Sequence, residues 1–161
     1  MTEPRSGRAG TMAGRLARLG VPDAQRMGAG LAEVAWWSPK LLDEVGAAAD
    51  PGQVLRVTLE LEAADPRGIS AVAADPRAWR RFVLTTGVSV ALSDHLVRHP
   101  EHLSILFEET PPPGPKEIRE HMVGAVTGTG PGAADALRVA HRAAVLRIAI
   151  ADIPDDAPFE L

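Results

Sequence analysis

A chain of 161 residues, 45% hydrophobic and 24% charged, is long enough for one helical or mixed domain with a sizeable core. Its net charge of −4 argues against a nucleic-acid binder held by phosphate neutralisation, and the absence of Cys excludes a disulfide framework, a thiolate zinc site and a cysteine nucleophile. No run of about 18 apolar residues is present to span a membrane, and no leader-like apolar run follows the basic start (Arg5, Arg8, Arg15, Arg18), so the chain is expected to be cytoplasmic.

Residues 1–10 hold Gly, Ser, Pro and Arg with little to bury and are expected to be disordered. Residues 11–153 read as a helical region. Thr11 is a candidate N-cap for a short helix carrying Met12, Leu16 and Leu19 and closed by Gly20. Pro22 is expected to open a second helix through about Val34. Trp36-Trp37-Ser38-Pro39 interrupts it, and Ser38 with Pro39 starts a third over 40–47. Three Asp-Pro pairs, Asp50-Pro51, Asp65-Pro66 and Asp75-Pro76, each place a capping carboxylate before a first-turn proline, predicting helices ending near Ala63, Ala73 and Thr85. Val54, Leu55, Leu59 and Leu61 are core candidates on the first of these.

Ser89 caps a helix running to His99, with Leu92, Leu96 and His99 at i, i+4 and i+7, and Pro100 restarts a short helix with Leu103, Leu106 and Phe107 facing inward. Thr110 to Pro115 is a stiff proline-rich link. A short helix over 116–123 and a Gly-rich loop over 124–132 precede the final helix. That loop lacks the Gly-Lys-Ser/Thr ending of a phosphate loop. On the final helix Leu137, Ala140, Ala144 and Ile148 form one apolar stripe, and Val139, Leu146 and Ile150 form another on the far side, which predicts a helix buried between neighbours. No segment alternates with period two. The expected fold is all-α, an irregular bundle of short helices ending in one long buried helix, with no sheet.

Several residues invite a site. His95 and His99 stand one turn apart, but Pro100 is expected to break the geometry before His102, and no second His or carboxylate cluster is evident to complete a metal site. Asp152, Asp155, Asp156 and Glu160 form an acidic stretch that Pro154 and Pro158 should keep extended over 154–161. Arg138, Arg142 and Arg147 punctuate the apolar final helix. Arg138 and Arg142, one turn apart, are expected either to face a phosphate or a neighbouring domain's acidic groups, or to pair with carboxylates while burying their stems.

Two blocks carry a family resemblance. Gly87-Val88-Ser89 through Asp94-His95-Leu96-Val97-Arg98-His99-Pro100-Glu101 reads as G-x-S…L-x-x-H-P. Leu137-Arg138, Arg142 and Leu146-Arg147-Ile148-Ala149 through Asp152-Ile153 reads as LR-x-x-x-R-x-x-x-LRIA-x-x-D-I. In that order and at that separation they resemble the helical region upstream of the first nucleotidyltransferase domain in bacterial glutamine synthetase adenylyltransferase/deadenylyltransferase, in an actinobacterial form given the Ala, Arg, Gly and Pro bias. The resemblance covers about residues 48–153. It implies a parent enzyme that adds AMP from ATP to a tyrosine of glutamine synthetase and removes it by phosphorolysis, using Mg²⁺ held by an Asp-x-Asp downstream of a Gly-Ser. It further implies glutamine synthetase, a PII-type regulatory protein and the downstream nucleotidyltransferase domain as partners, with no nucleic acid and no membrane. The sequence contains neither Gly-Ser nor Asp-x-Asp. No catalytic, cofactor-binding or metal residue is therefore expected here, and the chain is expected to be an inactive scaffold or contact fragment truncated before the catalytic domain. The alternative is a stand-alone, non-catalytic helical interaction module.

Overall fold

The structure, a computed structural model, describes residues 11–109, 111, 113–126 and 129–153. Residues 1–10 and 154–161, for which a disordered start and an extended acidic tail were expected, lie outside the described residues, as do Thr110, Pro112, Thr127 and Gly128. Among the described residues the chain forms nine α-helices and one 3-10 helix, with no strand.

The first two helices, α1 (Met12–Arg18) and α2 (Ala24–Ala32), pack as a pair. Thr11 Oγ1 accepts the Gly14 amide at 3.2 Å, as its N-cap position predicts. At the other end Gly20 adopts φ +73°, and the Gly20 and Val21 amides donate to the Ala17 and Leu16 carbonyls, each at 3.1 Å. Together these two bonds make a Schellman closure, with buried Val21 and Leu16 as its apolar partners. That closure displaces the expected start at Pro22. Val21 is committed to finishing α1, Asp23 turns the chain with φ 50°, and α2 begins only at Ala24. Asp is among the few residues that enter this left-handed region at modest cost.

The three Asp-Pro starts hold as predicted. They open α4 (Pro51–Ala64), α5 (Pro66–Ala74) and α6 (Pro76–Val88), following a short α3 (Pro39–Val45). Each carboxylate accepts the amide three residues on: Asp50 from Gln53 at 2.9 Å, Asp65 from Gly68 at 3.0 Å and Asp75 from Ala78 at 2.9 Å. Helix α4 lies at the centre of the fold, against α2, α3, α5, α6 and α7 (Val90–Arg98), and buries Val54, Leu55, Val57 and Leu61 completely. Leu59 is only partly buried, packed against this core near Gly30.

The break at Trp36-Trp37 has a tertiary cause. Both indoles pack on Trp79 of α6, with centroids 6.4 and 6.1 Å away, and Trp79 stacks on Phe82 at 5.3 Å. Trp36 Nε1 donates to Glu62 at 2.8 Å. An aromatic cluster of this kind favours edge-to-face and offset contacts and fills the core of a chain otherwise built on Ala, Val and Leu.

After α7 the chain continues as a 3-10 helix, Pro100–Phe107. Leu103, Ile105 and Leu106 are buried, but Phe107, expected to face inward, is 36% exposed. Three residues per turn align Leu103 with Leu106 and carry Phe107 a third of a turn away. Helices α8 (Pro115–Ala125) and α9 (Pro131–Ala151) follow as a hairpin. Helix α9 is buried along one side of its second half only, by Ala140, Ala143, Ala144, Leu146 and Ile150; none of residues 131–139 is buried, and Leu137 and Ile148 are each 39% exposed. The two-sided enclosure expected for this helix is therefore incomplete. Its inner face is rich in Ala, which lets it lie close to its neighbours while its longer side chains stay at the margins.

Candidate functional site

The two sequence blocks, about forty residues apart, converge on one cleft. Helix α7 and its C-cap contribute Val90, Ala91, Asp94, His95, Arg98 and His99, and α9 contributes Asp135, Arg138, Val139 and Arg142, around a volume of about 700 Å³. The helical repeat explains the alignment: Ala91, His95 and His99 on α7 and Asp135, Arg138 and Arg142 on α9 recur every three or four residues, so each set forms a stripe. Asp94, His95, His99, Arg138 and Arg142, all singled out in the sequence, thus meet at one place. Arg98 and Asp135 were not singled out, although each lies a helical turn from a residue that was.

The remaining block residues support the walls. Gly87 lies in the last turn of α6, where a Cβ would stand 2.8 Å from Ala48 Cβ and 3.3 Å from Val54 Cγ2. Any side chain here overpacks the core, so Gly87→Ala is expected to cost about 1–3 kcal/mol in urea unfolding; an unchanged midpoint would mean that the Ala48 segment yields freely. Ser89 Oγ accepts the Leu92 amide at 3.2 Å and caps α7. Leu96 and Leu146 are fully buried, and Ala149 packs against the core. Pro100 opens the 3-10 helix, and Asp152 is an exposed residue at the end of α9.

Arg147 fixes α9 by a two-pronged ion pair with Glu108, Nε to Oε2 at 2.9 Å and a terminal nitrogen to Oε1 at 3.0 Å. Buried Arg81 secures the same turn by donating to the Leu106 and Glu108 carbonyls at 3.1 and 2.7 Å. A planar guanidinium suits both tasks, because it can donate in two directions at once.

The 3-10 turn after Pro100 does not separate His102 from the helix before it, as expected from the sequence; it folds the ring back. His95 and His102 lie 4.9 Å apart between ring centres, His95 and His99 5.0 Å apart, and His95 Nε2 meets His102 Nδ1 at 2.8 Å. Burial, then the neighbouring His102, His99 and Arg142, push the His95 imidazole down to about 4. Burial likewise pushes His102 down, opposed by Glu101. Glu101 is itself drawn below the usual carboxylate range: burial works the other way but is outweighed by a backbone hydrogen bond and by His99, 3.1 Å from its carboxylate. Near neutrality His95 is thus uncharged, and its bond to His102 joins one neutral donor to one neutral acceptor. Among the described residues no group of three His or carboxylate side chains is placed to hold a metal ion.

Charges in the cleft do not cancel. Arg138 pairs with Asp135. Asp94 lies 4.0 Å from Arg56 of α4, which Glu60 also engages at 2.8 Å. Among the described residues Arg98 and Arg142 form no ion pair.

A second concavity lies on the other side of the α8–α9 hairpin. Pro115, Ile118, Met122, Val123, Val126 and Leu137, with Arg119, line an apolar groove of about 620 Å³. Helix α8 buries no residue at all, and Val123 is 68% exposed.

No protein-family model and no solved structure matches the chain. It is similar to the bifunctional glutamine synthetase adenylyltransferase/adenylyl-removing enzyme of Streptomyces coelicolor, 35% identical over 151 residues, covering 86% of this chain and 15% of that protein. The enzyme of the same name from Cutibacterium acnes is 30% identical, over 91% of this chain and 17% of that protein. The chain therefore spans about a sixth of the length of the curated relatives it matches. Over most of its length this chain is a relative of one segment of the bifunctional glutamine synthetase adenylyltransferase/adenylyl-removing enzymes, in their actinobacterial form.

Proposed function

We propose that these helices serve as a non-catalytic scaffold of a cytoplasmic enzyme that adds AMP to glutamine synthetase and removes it, and so controls nitrogen assimilation. The observation that carries this reading is similarity along 86–91% of the chain to a small segment of such enzymes. The residues suit a supporting part. The chemistry implied for the parent enzyme uses ATP and a pair of carboxylates to hold Mg²⁺ on the phosphates, and this sequence has no Asp-x-Asp. Among the described residues no group of three His or carboxylate side chains, Asp152 at the end of α9 included, is placed to hold a metal ion. These residues do not fit that metal and nucleotide site, and no catalytic step is assigned to them.

The contact surface we assign is the α8–α9 groove, covered in the intact enzyme by its nucleotidyltransferase unit. Apolar side chains left open on a helix that buries nothing else favour a protein neighbour, and most of the relatives' length lies outside the matched segment. Glutamine synthetase and a PII-type regulator are the partners of the assembled enzyme in this reading. Among the described residues no helix is long and apolar enough to cross a membrane.

The test is a transplant. The matching segment of the Streptomyces coelicolor enzyme is deleted, or replaced by this chain, and AMP transfer to and removal from glutamine synthetase are assayed beside this chain alone. Activity in the replacement, with little in the deletion and none in the chain alone, is the expected pattern. Full activity in the deletion would overturn the scaffold role and favour a stand-alone interaction module.

A further inference from the structure

The α7–α9 cleft has two arginines outside any ion pair among the described residues, a histidine in its lining and an apolar wall. Arg98 from α7 and Arg142 from α9 line it from opposite sides, are exposed, and have no hydrogen-bond or ion-pair partner among the described residues. Of the two carboxylates in the lining, Asp135 pairs with Arg138, and Asp94 lies 4.0 Å from Arg56, which Glu60 also holds at 2.8 Å; three arginines against two carboxylates leave the lining positive. His95, only 6% exposed, lies in the lining with Nε2 committed to His102, while Nδ1 has no partner among the described residues. Val90, Ala91 and Val139 supply the apolar part.

The geometry points to an oxyanion-binding site in this cleft, one that takes a small molecule bearing a phosphate or carboxylate group between Arg98 and Arg142. Guanidinium groups are suited to both anions, since each can offer two parallel N–H donors. His95 adds selection by tautomer. When His102 Nδ1–H donates to His95 Nε2, the His95 proton sits on Nδ1 and is available as a third donor; the opposite tautomer presents a lone pair and repels the anion. The ligand therefore favours one arrangement of the His95–His102 pair. A volume of about 700 Å³ falls within the roughly 300–1,000 Å³ usual for small-molecule sites, which favours a small ligand over an acidic protein segment. This inference does not depend on the adenylylation reading, because its test uses the 161-residue chain and no glutamine synthetase.

Pyrophosphate and citrate are titrated separately into the ¹⁵N-labelled chain at constant ionic strength, with chloride as the control, and backbone amide and histidine ring signals are followed. Saturable shifts confined to α7 and the first half of α9, with a Kd below about 1 mM and His95 fixed as the Nδ1–H form, are the expected result. Response to pyrophosphate alone assigns a phosphate ligand, and response to citrate alone assigns a carboxylate. Arg142→Gln should weaken binding at least about tenfold, and Arg98→Gln with Arg142→Gln should abolish it; both side chains are exposed, so unchanged amide spectra elsewhere certify the fold. Non-saturating shifts with both probes, or binding unaltered in the double variant, would overturn the site.

Discussion

Trp79→Ala is expected to lower the unfolding free energy by about 3–5 kcal/mol, the range for deleting a fully buried large aromatic side chain. Trp79 has no exposed surface and lies among Trp36, Trp37 and Phe82, with centroids 5.3–6.4 Å away. Removing it opens a cavity where the α2–α3 link, α6 and the rest of the core meet, and the stability of a domain is only about 5–15 kcal/mol. Trp79→Phe should cost much less. The Trp79 Nε1–H is buried with no hydrogen-bond partner among the described residues, so exchanging indole for phenyl removes an unsatisfied donor along with part of the volume. Urea unfolding followed by circular dichroism distinguishes the two variants; equal losses would contradict both the cavity argument and the penalty assigned to the unsatisfied indole nitrogen.

Acidification should destabilise the fold between pH 6.5 and about 4. The His95 ring is held neutral in the folded chain with its titration pushed down to about 4, against 6.5 for an unperturbed histidine. In that window the unfolded state binds a proton that the folded state does not, so stability rises with pH; the contribution is complete above the unfolded value and is lost as pH falls toward the folded one. The displacement corresponds to about 3 kcal/mol as an upper magnitude. His102, pushed the same way, adds to the slope with the same sign. Unfolding midpoints measured from pH 7.5 down to 4.5 should therefore fall, and His95→Gln should flatten that dependence. An equal slope in wild type and variant would show that the His95–His102 contact is not held neutral.

What the sequence made legible was mostly local. Asp50, Asp65 and Asp75 could be read as caps because an N-cap bond reaches only three residues along the chain, and the following prolines fix the first turn. Thr11, Ser89 and Gly20 were readable for the same reason. Pro22 misled because its role depended on Val21, which the Schellman closure of α1 had already engaged. The histidine cluster is hidden from the sequence by one point of geometry: a proline at position 100 suggests that the chain leaves α7, whereas the 3-10 turn brings His102 back to His95. Contacts such as Arg147–Glu108, 39 residues apart, leave no periodic trace in either segment.

Function was legible only through resemblance. Composition and spacing alone reached an all-α chain without a visible catalytic set. The order of two motifs pointed to a family, and the cleft between α7 and α9 supplies a spatial reason for several of the residues that carry it. Gly87 and Ser89 act on packing and capping, whereas Asp94, Arg138 and Arg142 sit where a ligand or neighbour can reach them. The part that α8 plays in the α8–α9 groove was beyond reach from sequence. A short helix with Ile118, Met122 and Val123 reads the same whether those side chains are covered or open.

The most direct test of the scaffold assignment is the paired substitution Val123→Glu and Leu137→Glu, placed in the Streptomyces coelicolor enzyme carrying this segment. Both side chains are partly or largely exposed in the groove, so the melting of the 161-residue chain should barely change. Buried against a catalytic unit, two carboxylates without partners would cost several kcal/mol, and both adenylylation and its removal should fall at least about tenfold. Full activity in both directions, with the chain's melting unchanged, would contradict the assignment of this face as the contact with the catalytic unit.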